Sequence, residues 1–212
     1  MSIILELQQQ SIESNVDILS LLRKALLVAR KLGLKEFYEW INNELNGYVD
    51  VGNIPDYRQI QGILKGWNPY NGWIPVIFTE DDLENTFSQR KLFDSIPSLN
   101  SLLNEKGKNL MLPISANGAA IISKVTGFQT RYILEISPNA IDNIIEQVKN
   151  KILDWAIILE EYGILGEGIT FTKEEKSKAL NEPQIVNYIS NFYGSVSDLQ
   201  FQQGTDDSKQ QK

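Results

Sequence analysis

Glu44, Tyr48, Asp56, Tyr57 and Arg58 are the residues of this chain best suited to recognition chemistry. Two carboxylates, two phenols and a guanidinium fall close together at the expected ends of helices and turns, where loops present polar groups. Gathered in space, they would grip a charged or planar small ligand, the guanidinium through paired hydrogen bonds. As catalysts they are poorly equipped. The 212 residues include no histidine and no cysteine, which removes the usual base near neutral pH, the thiolate nucleophile and any Ser-His-Asp triad. Carboxylates, lysine, tyrosine, serine or a carboxylate-held magnesium ion would have to serve instead. The structural reading of the same residues is that Glu44 pairs with Arg30 or Arg58 inside the fold, and that Asn46-Gly47 merely stops a helix.

Two further groups stand out. Trp67, Tyr70 and Trp73 sit in a stretch rich in Asn, Pro and Gly, which reads as a loop. The rings either fold back onto the core or form an exposed contact for a partner. Near the C-terminus, Leu199, Gln200, Phe201 and Gln202 belong to a β-prone, charge-poor segment suited to strand pairing between copies. The alternative there is an ordinary hairpin that completes the domain, or an edge strand swapped within an oligomer. Asp81, Asp82 and Glu84 read as helix N-terminal charge rather than as metal ligands, because successive side chains point in different directions. No metal site and no cofactor are expected.

These groups must be positioned by a fold that the composition permits. Hydrophobic residues make up 42% and charged residues 22% of the chain, ordinary values for a globular protein. The net charge of −7 disfavours nucleic acid as a partner, since a phosphate backbone needs a basic surface. The cluster Arg23, Lys24, Arg30, Lys31 and Lys35 reads as a solvated helix face. No apolar run approaches the roughly 20 residues that span a bilayer, and the N-terminus lacks the basic region and cleavage site of a signal peptide. A soluble, cytoplasmic protein that does not use a membrane is expected.

The first firm helix starts after Asp17, with Ile18, Leu21, Leu22, Ala25, Ala29 and Leu32 at helical spacing and Gly33 as its stop. A second runs from Lys35, with Phe37, Trp40, Ile41 and Glu44 on one side, to Gly47. Ile54-Pro55-Asp56 turns the chain. Strands are expected over 57–65, 74–78, 109–114 and 131–136, and short helical pieces over 83–107. Residues 119–125 suit either state. Ser137-Pro138 launches the longest helix, which ends near Gly163. After a hinge-like glycine cluster, Thr172 and Glu175 form a capping box. Strands over 185–192 and 196–202 would make a C-terminal β-hairpin. The fold class is therefore α+β: an N-terminal two-helix hairpin, a small mixed or antiparallel sheet, a long central helix and that C-terminal hairpin.

Ala29-Arg30-Lys31-Leu32-Gly33, Trp40, Glu44-Leu45-Asn46-Gly47-Tyr48 and Ile54-Pro55-Asp56-Tyr57-Arg58, with Leu22 and Ala25 before them, resemble the pattern of the AbiTii family. The resemblance implies a setting in abortive infection and bacterial conflict, and it brings no catalytic residue with it. The residues divide the chain into an AbiTii-like α+β domain over 1–168, a C-terminal helix plus β-hairpin appendage over 169–204 and a polar, disordered tail over 205–212. The expected role is a non-enzymatic defence component that binds and self-associates, as a homo-oligomer or with a protein partner of the same system. A cryptic carboxylate-dependent hydrolase or nucleotide-acting toxin, and a membrane-perturbing effector working through its apolar first helix, are the alternatives.

Overall fold

The computed structural model describes residues 2–50, 52, 54–78, 81–103 and 109–192. The chain opens with a helix that the sequence pattern hides. Helix α1 (Ile3–Ile12) is capped by Ser2, whose hydroxyl accepts from the Ile4 and Leu5 amides. The run of three glutamines masks its periodicity, yet Ile3, Ile4, Leu7 and Ser11 form one buried face. It packs along the long helix α7 (Pro138–Glu161).

The expected helical hairpin follows. In α2 (Ile18–Leu32), Asp17 accepts from the Leu19 amide at the start, and Gly33 takes a left-handed conformation at the end. The stripe of Ile18, Leu21, Leu22, Ala25, Ala29 and Leu32 is buried in the core, while Leu27 beside it is exposed. Helix α3 (Lys35–Asn46) buries Phe37, Trp40, Ile41 and Glu44 on one side. Phe37 stacks on Trp155 of α7 with ring centroids 3.6 Å apart. The apolar face of α7 from Ile141 to Leu159 is buried throughout, which makes it the spine of the main core.

The stretch read as a single strand over 57–65 is divided. Asp56–Arg58 is a 3₁₀ turn, followed by β1 (Gln59–Gln61) and β2 (Ile63–Asn68). Gly62 makes the break. A Cβ there would come within 2.6 Å of the Glu135 carbonyl oxygen and 2.8 Å of two side chains. Burial alternates along the stretch: Arg58, Ile60 and Leu64 point inward, while Gln59, Gln61 and Ile63 are exposed. The aromatic loop over 66–73 is a hairpin instead, because β2 continues to Asn68 and pairs with β3 (Gly72–Pro75). Pro75 closes β3 at a position whose missing amide hydrogen faces the open edge, and the Val76 amide still donates to the Leu64 carbonyl at 2.9 Å.

Helix α4 (Asp81–Ser88) leads into β4 (Gln89–Lys91), which pairs with β1. Helix α5 (Ile96–Leu103) precedes β5 (Leu110–Pro113). The ambiguous segment over 119–125 is helical, within α6 (Ala116–Thr126), and β6 (Tyr132–Ile136) follows. The main sheet is antiparallel throughout, in the order β3-β2-β6-β5. Leu134 and Ile136 join the main core, while Leu64, Phe78, Ile122 and Tyr132 form a smaller one beneath α4 and α6.

Beyond α7 the glycine cluster is pinned. Gly163, Gly166 and Gly168 take positive φ, Ser2 pairs with Gly168, and the Ser2 hydroxyl donates to the Leu165 carbonyl. In α8 (Lys173–Asn181) the capping box forms as expected, and Glu175 does more than cap. Its carboxylate accepts from the amides of Leu165, Gly166 and Thr172. The expected strand over 185–192 is helical: α9 (Pro183–Val186), then a 3₁₀ turn over Tyr188–Phe192. The cause is burial, since Ile185, Ile189 and Phe192 recur at spacings of three to four and all enter the main core. The segment over 196–202 lies outside the described residues, as do Leu199, Gln200, Phe201 and Gln202.

Burial opposes the charge of Glu175, but the three amides outweigh it and hold its carboxyl below the usual value. That stabilisation is present above the unfolded pKa, near 4.3, and is lost as pH falls through the folded one. Glu175→Gln should therefore lower stability by about 1–2 kcal/mol at pH 7. In thermal unfolding followed by circular dichroism, the gap to the parent protein should narrow as pH falls below the unfolded value and close once it has passed the lowered folded one.

Candidate functional site

The fold brings four of the five foremost candidates together and seals them. Glu44 reaches inward from α3, one turn beyond Trp40, and Arg58 enters from the turn before β1; both side chains are fully buried. Arg58 Nε donates to Glu44 Oε1 at 3.1 Å, and Nη2 to Oε2. Its Nη1 donates to the carbonyls of Leu92 (3.0 Å) and Asp94 (2.7 Å). Tyr48 and Tyr57 both donate to Glu44 Oε1, and Trp40 Nε1 donates to the Tyr57 hydroxyl at 2.8 Å. The Arg58 guanidinium also lies over the Tyr48 ring, 4.7 Å from its centroid.

This network ties α3 to the turn before β1 and to the strand end at Leu92–Asp94. Burial alone would depress the Arg58 pKa, but the carboxylate of Glu44 outweighs it and raises it. Burial, then the charge of Glu44, pushes the Tyr57 phenol well above its ordinary value, so it remains a donor. A charged pair with its hydrogen bonds filled by the protein has little left to offer a ligand. What it does chemically is fasten helix to sheet. Asp56 faces away from it and pairs with Lys91 at 3.0 Å on the surface.

Trp67 and Trp73 are directly opposed on β2 and β3, with ring centroids 5.3 Å apart and planes at 72°. Arg131 continues the row: its carbonyl accepts from the Trp67 amide, and its guanidinium lies 5.2 Å from the Trp67 ring and 5.9 Å from the Trp73 ring. By strand alternation the same sheet face carries Lys65, Ile63, Ile133, Glu135 and Met111. Lys65 pairs with Glu135 at 2.6 Å. The face is open at Trp67, Met111 and Ile63, which are 37%, 53% and 55% exposed, while Ile133 among them is buried. Tyr70 stands at the hairpin tip, 94% exposed, where Asn68 Oδ1 accepts from the amides of Tyr70 and Asn71. On the other side of the hairpin, a groove of about 580 Å³ runs between β3 and α6, lined by Ile74, Val76, Phe78, Val125, Phe128 and Tyr132.

Sequence reasoning missed Arg131 and the groove, because strand register decides both. It also missed Lys151, which interrupts the apolar stripe of α7 and lies over the Tyr57 and Phe192 rings. Lys149, which is buried on the same helix, is a second charge among its apolar residues, and the two lysines were a readable signal.

A model of the AbiTii family matches residues 2–184. The chain belongs to the AbiTii family. Membership places it in the setting of abortive infection, a defence-related role. Nothing among curated proteins or solved structures matches the chain. Among the described residues of this AbiTii protein, no helix is long and apolar enough to cross a membrane.

Removing one partner of a buried ion pair strands the other, at a cost of about 3–5 kcal/mol. Arg58→Ala should lower stability by that amount in urea unfolding. Replacing both, as Glu44→Leu with Arg58→Met, should recover part of the loss. An Arg58→Ala protein of parental stability that had lost only its biological effect would restore the ligand-site reading.

Proposed function

We propose that this AbiTii protein is a non-enzymatic, cytoplasmic component of an anti-phage abortive-infection system that acts by contact. The observation that carries this reading is the row Trp73-Trp67-Arg131 on an open sheet face. Tryptophan, tyrosine and arginine dominate the energetics of protein interfaces, and Tyr70 and Met111 add to a surface of that character. Arg131 has no carboxylate within 4 Å among the described residues. The face therefore suits a protein partner of the same defence system that brings an acidic group to Arg131 and apolar side chains to the tryptophans. Self-association is assigned to the segment Leu199-Gln200-Phe201-Gln202, whose composition favours pairing between copies.

Two variants test the two halves. Trp67→Ala with Trp73→Ala should abolish protection in a phage-challenge assay while the circular dichroism spectrum stays parental. Full protection by that double variant would remove the sheet face from the mechanism. Deletion of residues 193–212 should leave a folded monomer in sedimentation analysis at concentrations where the full chain associates. The deletion starts at 193 because Ile185, Ile189 and Phe192 belong to the core. Unchanged association after the deletion would refute the tail assignment.

A further inference from the structure

β3 is the outermost strand of the four-stranded sheet, and the groove between it and α6 runs along that edge. Ile74, Val76 and Phe78 line it from alternate positions on the strand side, and Val125 and Phe128 line it from the end of α6. Gly66 pairs with Ile74 on one side and Tyr132 on the other, so the row across the groove face has no side chain at its middle. The Tyr132 ring leans toward that position: a Cβ at Gly66 would stand 3.3 Å from its Cε1. A glycine inside a strand often marks a place where another backbone approaches closely. The apolar lining continues onto the surface, where Ile77, Val125 and Phe128 are exposed.

A groove beside an outermost strand suits an extended occupant. The Val76 amide donates inward to the Leu64 carbonyl, so by alternation the Trp73 amide and carbonyl and the Pro75 carbonyl point outward. Pro75 withholds a donor there, which leaves few backbone bonds and gives the deciding weight to side chains entering the groove. Residues 196–202 of this chain have the matching period. In an extended chain Leu199 and Phe201 share one side, and Asp198, the one charge of the segment, falls on the other with Gln200. With Leu199 and Phe201 in the groove, Asp198 lies on the tryptophan side of the sheet, which carries Lys65 and Arg131. The chain leaves its own core at Phe192, packed 5.2 Å from the Trp40 ring, with this segment still ahead of it.

Given self-association through this segment, on which the inference rests, we propose that residues 196–202 of one copy add as a strand to the β3 edge of a second copy. Leu199 and Phe201 are seated in its groove. Each copy then carries one groove and one strand. That head-to-tail relation propagates into chains of copies unless two copies exchange strands and close a dimer.

The chain has no cysteine, so a disulfide forms only between introduced thiols. Full-length Val125→Cys or Phe128→Cys is mixed with full-length Leu199→Cys, Gln200→Cys or Phe201→Cys under mild oxidation, and linked pairs are counted on a denaturing gel. Leu199→Cys and Phe201→Cys should link to the groove variants about fivefold more than Gln200→Cys does, because a disulfide tolerates only a few ångströms between Cβ atoms. Met111→Cys, on the opposite sheet face, should link to none of them. Equal yields at the three positions, no link to either groove variant, or links mainly between copies of one tail variant would overturn the proposal. So would a bond that closes within a single chain carrying both Phe128→Cys and Phe201→Cys. In sedimentation, the full chain with Val125→Asp and Phe128→Asp should fall to monomer at concentrations where the parent associates. Association lost on deletion of 193–212 but kept with the two aspartates would leave the role of the segment standing and remove the groove. Association that survives the deletion would remove both. Should the aspartate variant fail to fold, the thiol pairs decide, since each changes a single side chain and those on the groove side are exposed.

Discussion

The ion pair between Glu44 and Arg58 is the constraint around which the rest is arranged. Two opposite charges fully removed from water survive only when their hydrogen bonds are filled. Here Tyr48, Tyr57 and the carbonyls of Leu92 and Asp94 fill them. Those partners come from several stretches of chain, so satisfying one charge pair fixes the helical hairpin against the start of the sheet. The same requirement places the Tyr57 hydroxyl, which in turn satisfies the indole of Trp40. Position, rather than net stability, is what such a network specifies most strongly.

From that anchor the sheet is carried outward. Gly62 allows β1 and β2 to serve different partners within a few residues, because only the absence of a side chain lets the backbone pass Glu135 so closely. β2 then projects with β3 as a hairpin that has a groove on one side and the tryptophan–arginine row on the other. The interior is polar and closed at the ion pair, whereas the accessible surfaces of the hairpin are aromatic and open.

Much of the helical part is legible in the order of residues alone. The caps at Asp17, Gly33 and Thr172 and the apolar stripes of α2, α3 and α7 depend on residues near in sequence, and local chemistry decides them. Local preference misleads where distant packing overrules it. Ile185 to Phe192 has β-prone composition, yet it folds as helical turns because three of its side chains reach the core at helical spacing. The glutamines of α1 conceal a face that becomes evident only in its packing against α7. Residues 66–73 carry the composition of a loop, but cross-strand pairing of Trp67 with Trp73 makes them a hairpin.

The candidate residues divide in the same way. Sequence alone determined that Glu44, Tyr48, Tyr57 and Arg58 would fall at element ends, that imidazole and thiol chemistry are absent, and that the chain has the AbiTii pattern. Only the tertiary structure decided that Glu44 and Arg58 face each other inside, that Asp56 turns away to Lys91, and that Arg131 joins the tryptophans outside. Residue types and local spacing set which groups a segment offers. Strand register and helix packing set which distant groups meet, and whether water reaches them.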